Sequence, residues 1–258
     1  MNIMKPGDFS NLADDYASFR PGYARDVCRA ALALPNAPAG KLDVADVGAG
    51  TGIWTRTLHA MGCHKLTAVE PNEAMRAQGV RQSEGLSINW KSGSGEDTTL
   101  PTASQDVLTM ASSFHWPDEA AAMSEFHRVL RPGGWFAALW NTRYIEASPL
   151  LVEIEAELHN IVPDLNRVSS GRSEFTAGLT SRLLAAQGWG APVYIEGYHT
   201  ERMSRARYLG IWRSVNDVQQ QAGPERFQRF LDYIEDRLSD HDEVDAVYQT
   251  RLWAVQSI

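Results

Sequence analysis

The sequence predicts an α/β fold built on a mainly parallel sheet, and three observations carry that reading. Apolar runs of strand length alternate with helix-like segments through the first 140 residues, the rhythm of strands joined by helical crossovers. With 258 residues, 43% of them hydrophobic, the chain can bury the core of one large domain. A glycine-rich turn, Asp46-Val47-Gly48-Ala49-Gly50-Thr51-Gly52, leaves an apolar run and enters a helical segment, as a ligand-binding corner of such a sheet does.

Taken in order, strands are expected at Leu42–Val47, Leu66–Glu70, Ser87–Lys91, Asp106–Ala111 and Trp135–Trp140. Between them the spacing predicts helices near Pro21–Leu34, Gly52–Met61, Asn72–Gln82 and Pro117–Leu130, several opened by a first-turn Pro or a capping Asn. Arg131-Pro132-Gly133-Gly134 breaks the chain before the next strand. After Asn141 the helical stretches lengthen, around Leu150–Asn160, Thr176–Gln187, Ser204–Gln221 and Glu225–Leu238, and two strands are expected at Ala191–His199 and Val247–Val255. These two strands complete the sheet around an inserted helical cap.

Composition narrows the class of function. The first 30 residues hold no long apolar run and carry Asp8, Asp14 and Asp15, which argues against an export signal. No stretch approaches the roughly 18 apolar residues of a membrane span, so a soluble, cytoplasmic protein with no membrane partner is expected. Cys28 and Cys63 are then expected to be reduced and buried. Net charge is −8, with 12 basic against 15 acidic residues before Asn141 and 12 against 17 from there on; nucleic acid is not expected as a partner.

Glycines in the turn let the backbone bend sharply and approach a ligand with no side chain between. A dinucleotide fingerprint would want glycine or alanine at position 53, where this chain has Ile53, so the nicotinamide reading weakens. Glu70 lies 18 residues beyond Gly52 at the end of the next strand, where a carboxylate can accept hydrogen bonds from both hydroxyls of a ribose. The seven histidines show no HxxH or HExxH spacing, and no metal is expected.

At this point the residues resemble a class I S-adenosylmethionine-dependent methyltransferase of the methyltransferase-11 type, the small-molecule group similar to trans-aconitate methyltransferase. Phe9 to Tyr16 with Arg20-Pro21-Gly22-Tyr23 resembles the family's N-terminal lid, Val44 to Gly52 its first motif, and Glu70-Pro71-Asn72 with Met75 its second. Gly95-Glu96-Asp97 resembles the adenine-side loop, and Phe114-His115-Trp116 the end of the fourth strand. The resemblance implies a Rossmann-like fold: a seven-stranded, mostly parallel sheet with helices on both faces, its last strand antiparallel, and a helical insert near the C-terminus. One domain is expected, with a lid over 1–34, a cofactor core over 35–141 and a substrate-side cap over 142–258.

It also implies roles. Toward S-adenosylmethionine it assigns Tyr16 and Arg20 from the lid, Asp46, Gly48, Ala49, Gly50 and Gly52 from the turn, and Glu70, Pro71 and Met75 from the second motif. Gly95, Glu96 and Ser112 complete that set. Toward a small-molecule substrate it assigns Tyr23, Phe114 and Trp116; Asn141 and Arg143 follow the fifth strand at the sheet edge where ligands bind in such folds, and contact substrate or act as loop caps. His115 is the catalytic candidate: a general base, a group that positions the acceptor, or a hydrogen-bonded structural residue. Arg202, Arg205, Arg207 and Arg213 hint at an anionic substrate, or form a solvated helix face. The same motifs would serve intramolecular cyclisation or elimination of the cofactor, or a non-catalytic binder. The assembly expected is a monomer or homodimer.

Overall fold

The computed structural model describes residues 19–167 and 174–258. Seven strands form one sheet: β1 Asp43–Val47, β2 Lys65–Val69, β3 Ile88–Lys91, β4 Gln105–Ala111, β5 Leu130–Arg143, β6 Val193–Ser204 and β7 Glu243–Gln256. Their order is β3-β2-β1-β4-β5-β7-β6. β1 to β5 pair in parallel, and β7 runs antiparallel between β5 and β6. The order reverses at β1, which has β2 on one side and β4 on the other, so a crevice opens where their C-terminal ends diverge.

Helices are α1 Arg25–Ala33, α2 Ile53–Ala60, α3 Glu73–Gln82, α4 Glu119–Val129, α5 Pro149–Ile161, α6 Glu174–Ala177, α7 Leu179–Ala185, α8 Arg205–Arg213 and α9 Asn216–Arg237. Side-chain caps start four of them. Asn72 accepts from the Met75 N–H, Asp118 from Ala121, Ser148 from Leu151 and Ser204 from Arg207, each satisfying a donor that the first turn leaves without a partner.

Three clusters make the core. Strand alternation sends Ala45 and Val47 to one face with Phe126, and Val44 to the other with Val27, Cys28 and Leu58. A third cluster fills the cap, where Leu158, Trp212, Phe230 and Tyr248 pack together. α1 is part of the body rather than a free lid: Val27 and Cys28 are buried, and the Ala24 N–H donates to Thr250 Oγ1 at 2.9 Å. Residues 1–18 of the expected lid, including Tyr16, lie outside the described residues.

The boundaries differ from expectation in identifiable ways. Arg131–Gly134 does not precede β5 but bulges out of it, because Leu130 already pairs with Gln105 and Trp135 with Val107. β6 and β7 run longer than expected, since their alternating residues pair along a ribbon from Val193↔Ala254 to Ser204↔Glu243. The expected Ser204–Gln221 helix breaks after Arg213, and its remainder joins the next stretch as α9, interrupted at Gly223 ahead of Pro224. Among the described residues no helix is long and apolar enough to cross a membrane.

Candidate active site

A cavity of about 550 Å³ opens over the C-terminal ends of β1, β2, β4 and β5, within the roughly 300–1,000 Å³ typical of small-molecule sites. At one end lies the glycine turn. Gly48 and Gly50 adopt φ of 65° and 58°, a left-handed geometry that side chains resist. A Cβ on Gly48 would stand 2.7 Å from Ser113 Oγ, so a larger residue would push into the wall.

Glu70 closes this end. Its Oε2 accepts the Gly50 N–H at 2.7 Å and its Oε1 the Asn72 N–H at 2.8 Å, so the acid of the second motif braces the turn of the first. Burial pushes its carboxyl above the usual carboxylate range, while the two amide bonds and the Arg76 guanidinium oppose the shift. Each oxygen keeps a further lone pair for a ligand hydroxyl. Pro71, Met75, Gly95 and Glu96 line the same end, and Glu96 is fixed by the Asp118 N–H at 3.0 Å.

The opposite end is built by the ends of β4 and β5 and by the cap. Ser112 sits at φ 56°, a position that costs energy for a non-glycine residue and recurs at functional sites; its N–H donates to Leu139 O at 2.7 Å. His115 follows, its ring 4.4 Å from that of Trp116 and 6.3 Å from that of Trp140. Neither His115 nitrogen has a hydrogen-bond partner among the described residues. Burial pulls the imidazole down to about 4, against the opposing charge of Asp217, so at neutral pH it is uncharged and can accept a proton.

Arg20, Tyr23, Trp116, Asn141 and Arg143 also line the cavity. Arg20 is held by Ser214, donating to its Oγ at 2.9 Å and its carbonyl at 3.0 Å. Tyr23 meets Trp54 edge-on at 5.1 Å. Asn141 ties the wall together: its Nδ2 donates to Gly22 O at 2.7 Å, and its Oδ1 accepts from Thr250 at 2.8 Å.

Three expected site residues do not reach the cavity. Asp46 is fully buried, facing α2, where it accepts from Thr55 Oγ1 at 2.5 Å and Thr109 Oγ1 at 3.4 Å. Burial pushes its carboxyl up to about 7, despite those hydroxyl bonds. Gly52 caps α2, donates to Ala49 O at 2.8 Å and faces the Trp90 ring. Phe114 is fully buried in a ring cluster with Phe136 at 4.9 Å, Phe175 at 5.9 Å and Phe126 at 6.3 Å. Three of the four arginines expected near the insert are engaged elsewhere. Arg202 pairs with Asp245 at 2.8 Å, Arg207 with Glu201 at 3.1 Å, and Arg205 donates to Leu238 and Ser239 carbonyls.

The correction for Asp46 has a measurable consequence. Asp46→Ala is expected to lower stability by about 1–3 kcal/mol, since it strands the Thr55 hydroxyl in the core, while S-adenosylhomocysteine affinity stays within about twofold. Urea denaturation and calorimetry on the folded variant read the two effects; an intact stability with lost affinity would return Asp46 to the binding set.

Other residues line the cavity that local motifs did not reveal: Ile53, Trp54, Ser94, Trp140, Thr142, Ile145, Glu155, Arg167, Ile211, Val215, Asn216 and Tyr248. Ile53 and Trp54 adjoin the glycine turn and could have been read from that adjacency. Glu155, Arg167 and Tyr248 come from three separated parts of the chain, with no contiguous signal. Among the described residues no group of three or more His, Cys, Asp or Glu could hold a metal ion.

Comparison with known proteins agrees with this geometry. Residues 44–134 match the family model described as a methyltransferase domain. An uncharacterized methyltransferase of Mycobacterium bovis is 34% identical over 139 residues, 52% of this chain and 52% of its own length. A ubiquinone/menaquinone biosynthesis C-methyltransferase of Rubrivivax gelatinosus is 35% identical over 104 residues, 40% of this chain and 41% of its own. The match thus spans about half the length, or less, of these curated relatives. In fold, the chain is similar to a candidate type II methyltransferase from Anaeromyxobacter dehalogenans, with a TM-score of 0.64 at 23% identity, covering 92% of this chain and 97% of that one. The glycine turn braced by Glu70 lies within residues 44–134, the segment that matches the methyltransferase-domain family model.

Proposed function

We propose that the chain is a cytoplasmic enzyme that transfers the methyl group of S-adenosylmethionine to a small molecule. One observation carries the reading: a single continuous cavity runs from Glu70 and the glycine turn to His115 and Arg143, so cofactor and acceptor can meet within it. The relative named as a ubiquinone/menaquinone biosynthesis C-methyltransferase supports a small-molecule acceptor.

S-adenosylmethionine, when bound, supplies a sulfonium methyl already activated for attack. The residues present fit it. Backbone at Gly48, Ala49 and Gly50 admits a ligand closely, Glu70 offers two acceptor oxygens to a ribose, and Pro71, Met75, Gly95 and Glu96 form the adenine side. Arg20 and Ser112 serve the amino-acid end. Tyr23, Trp116, Asn141 and Arg143 face the acceptor. Trp116 and Tyr23 offer ring faces to a cation, each worth about 0.5–2 kcal/mol. His115 orients the acceptor or takes its proton. The remaining contribution is orientation and exclusion of water.

The test is calorimetry with S-adenosylmethionine and S-adenosylhomocysteine, followed by transfer of labelled methyl to a panel of small acceptors. Micromolar binding and transfer unaffected by EDTA are expected, since attack on a sulfonium methyl needs no Lewis acid. Lack of binding would overturn the reading. Cofactor consumption without any acceptor would point to cyclisation or elimination instead.

A further inference from the structure

We propose that the acceptor carries a carboxylate, anchored by the Arg143 guanidinium; the proposal rests on the methyl-transfer reading above. Arg143 ends β5 with its side chain only 10% exposed, yet it is poorly neutralised. Its Nη1 donates to the Tyr208 hydroxyl at 3.3 Å, and Glu155 stays 3.9 Å from Nη2, beyond hydrogen-bond distance.

The nearby acids are taken by a different cation. Arg167 Nη1 holds Glu155 Oε1 at 2.7 Å, and Arg167 Nε lies 3.6 Å from Asp217. Arg167 therefore faces two carboxylates while Arg143, among the described residues, has none within bonding distance. A guanidinium has five N–H donors, and a charge withdrawn from water without partners is costly. Arg143 faces the cavity, so a ligand can supply what the protein does not.

The site is built for that ligand. The Arg143 guanidinium carbon stands 3.9 Å from the centre of the Trp212 ring, which holds the planar fork in place. Tyr248, which also lines the cavity, is buried at 3% exposure, and its hydroxyl has no hydrogen-bond partner among the described residues; it can add a bond to the same anion. A carboxylate matches the fork in two parallel hydrogen bonds. Glu155 at 3.9 Å would repel a doubly charged group, which favours a monoanion over a phosphate.

The experiment uses the full chain saturated with S-adenosylhomocysteine. Four acids, benzoate, phenylacetate, cinnamate and hexanoate, are titrated calorimetrically against their primary amides, in wild type, Arg143→Met and Arg143→Lys. At least one acid is expected to bind about tenfold or more tighter than its amide, the margin set by charge-assisted bonding. Arg143→Met should abolish that preference, and Arg143→Lys, which keeps the charge but loses the fork, should retain part of it. S-adenosylhomocysteine affinity should stay within about twofold in both variants, which also reports that each is folded. If the Met variant does not fold, the Lys variant decides by a reduced preference. Equal affinity for acids and amides, no binding of any acid, or an undiminished preference in the folded variants would overturn the carboxylate proposal alone. Failure of wild type to bind S-adenosylhomocysteine would overturn the methyl-transfer reading beneath it.

Discussion

Glu70→Ala is expected to weaken S-adenosylhomocysteine binding by about 10–150-fold, the equivalent of about 1.5–3 kcal/mol for hydrogen bonds to a charged group. Two losses combine. The ribose loses its acceptor, and the Gly50 and Asn72 amides, now bonded to Glu70 at 2.7 and 2.8 Å, lose the anchor that fixes the turn. Glu70→Gln separates them, because an amide keeps one acceptor but presents a donor to one of those N–H groups. An intermediate loss is expected. Calorimetry gives the affinities, and thermal unfolding without ligand shows whether the turn itself has loosened. Wild-type affinity in folded Glu70→Ala would remove this acid from the cofactor site.

The cofactor half of the site was legible because its chemistry is written in short contiguous stretches. A strand, a turn with glycines at 48, 50 and 52, and an acid at the end of the next strand each leave a local trace. What such a trace does not resolve is which face a side chain takes. Asp46 lies in the motif, but the pleat turns it under α2 to Thr55, and Phe114 adjoins His115 yet is fully buried among Phe126 and Phe136. The substrate half has no contiguous trace. Glu155, Arg167 and Tyr248 come from α5, the segment after it and β7, and only the folded cap brings them to one cavity. The arginine cluster misled for a related reason: Arg202, read as helical, is in β6 opposite Asp245, so its acid lies 43 positions away. Arg143, expected at a sheet edge as a substrate contact or a cap, acquires its character from the Trp212 ring against it.

His115→Asn is expected to lower kcat by about 10²–10⁴-fold if the imidazole takes the acceptor proton, with cofactor affinity nearly unchanged. The site supplies the means: two nitrogens with no partner among the described residues, a cavity wall position, and the negative charge of Asp217 to favour the imidazolium once formed. Burial sets the working range. With the imidazole held down to about 4, below the reference value of about 6.5, the acidic limb of kcat/KM should fall near pH 4 and vanish in the variant. Stability carries the same sign. Above about pH 6.5 both folded and unfolded imidazoles are neutral and the group adds no pH dependence. Below that the unfolded chain binds the proton first, so stability declines from about pH 6.5 toward 4, and His115→Asn should flatten this slope. A residue that only positions the acceptor would show a smaller loss, mainly in KM. One that only supports the fold would lose thermal stability, cofactor binding and turnover together. Full turnover with the acidic limb intact in a stably folded His115→Asn protein would take this imidazole out of the mechanism and leave orientation within the cavity as the main source of rate.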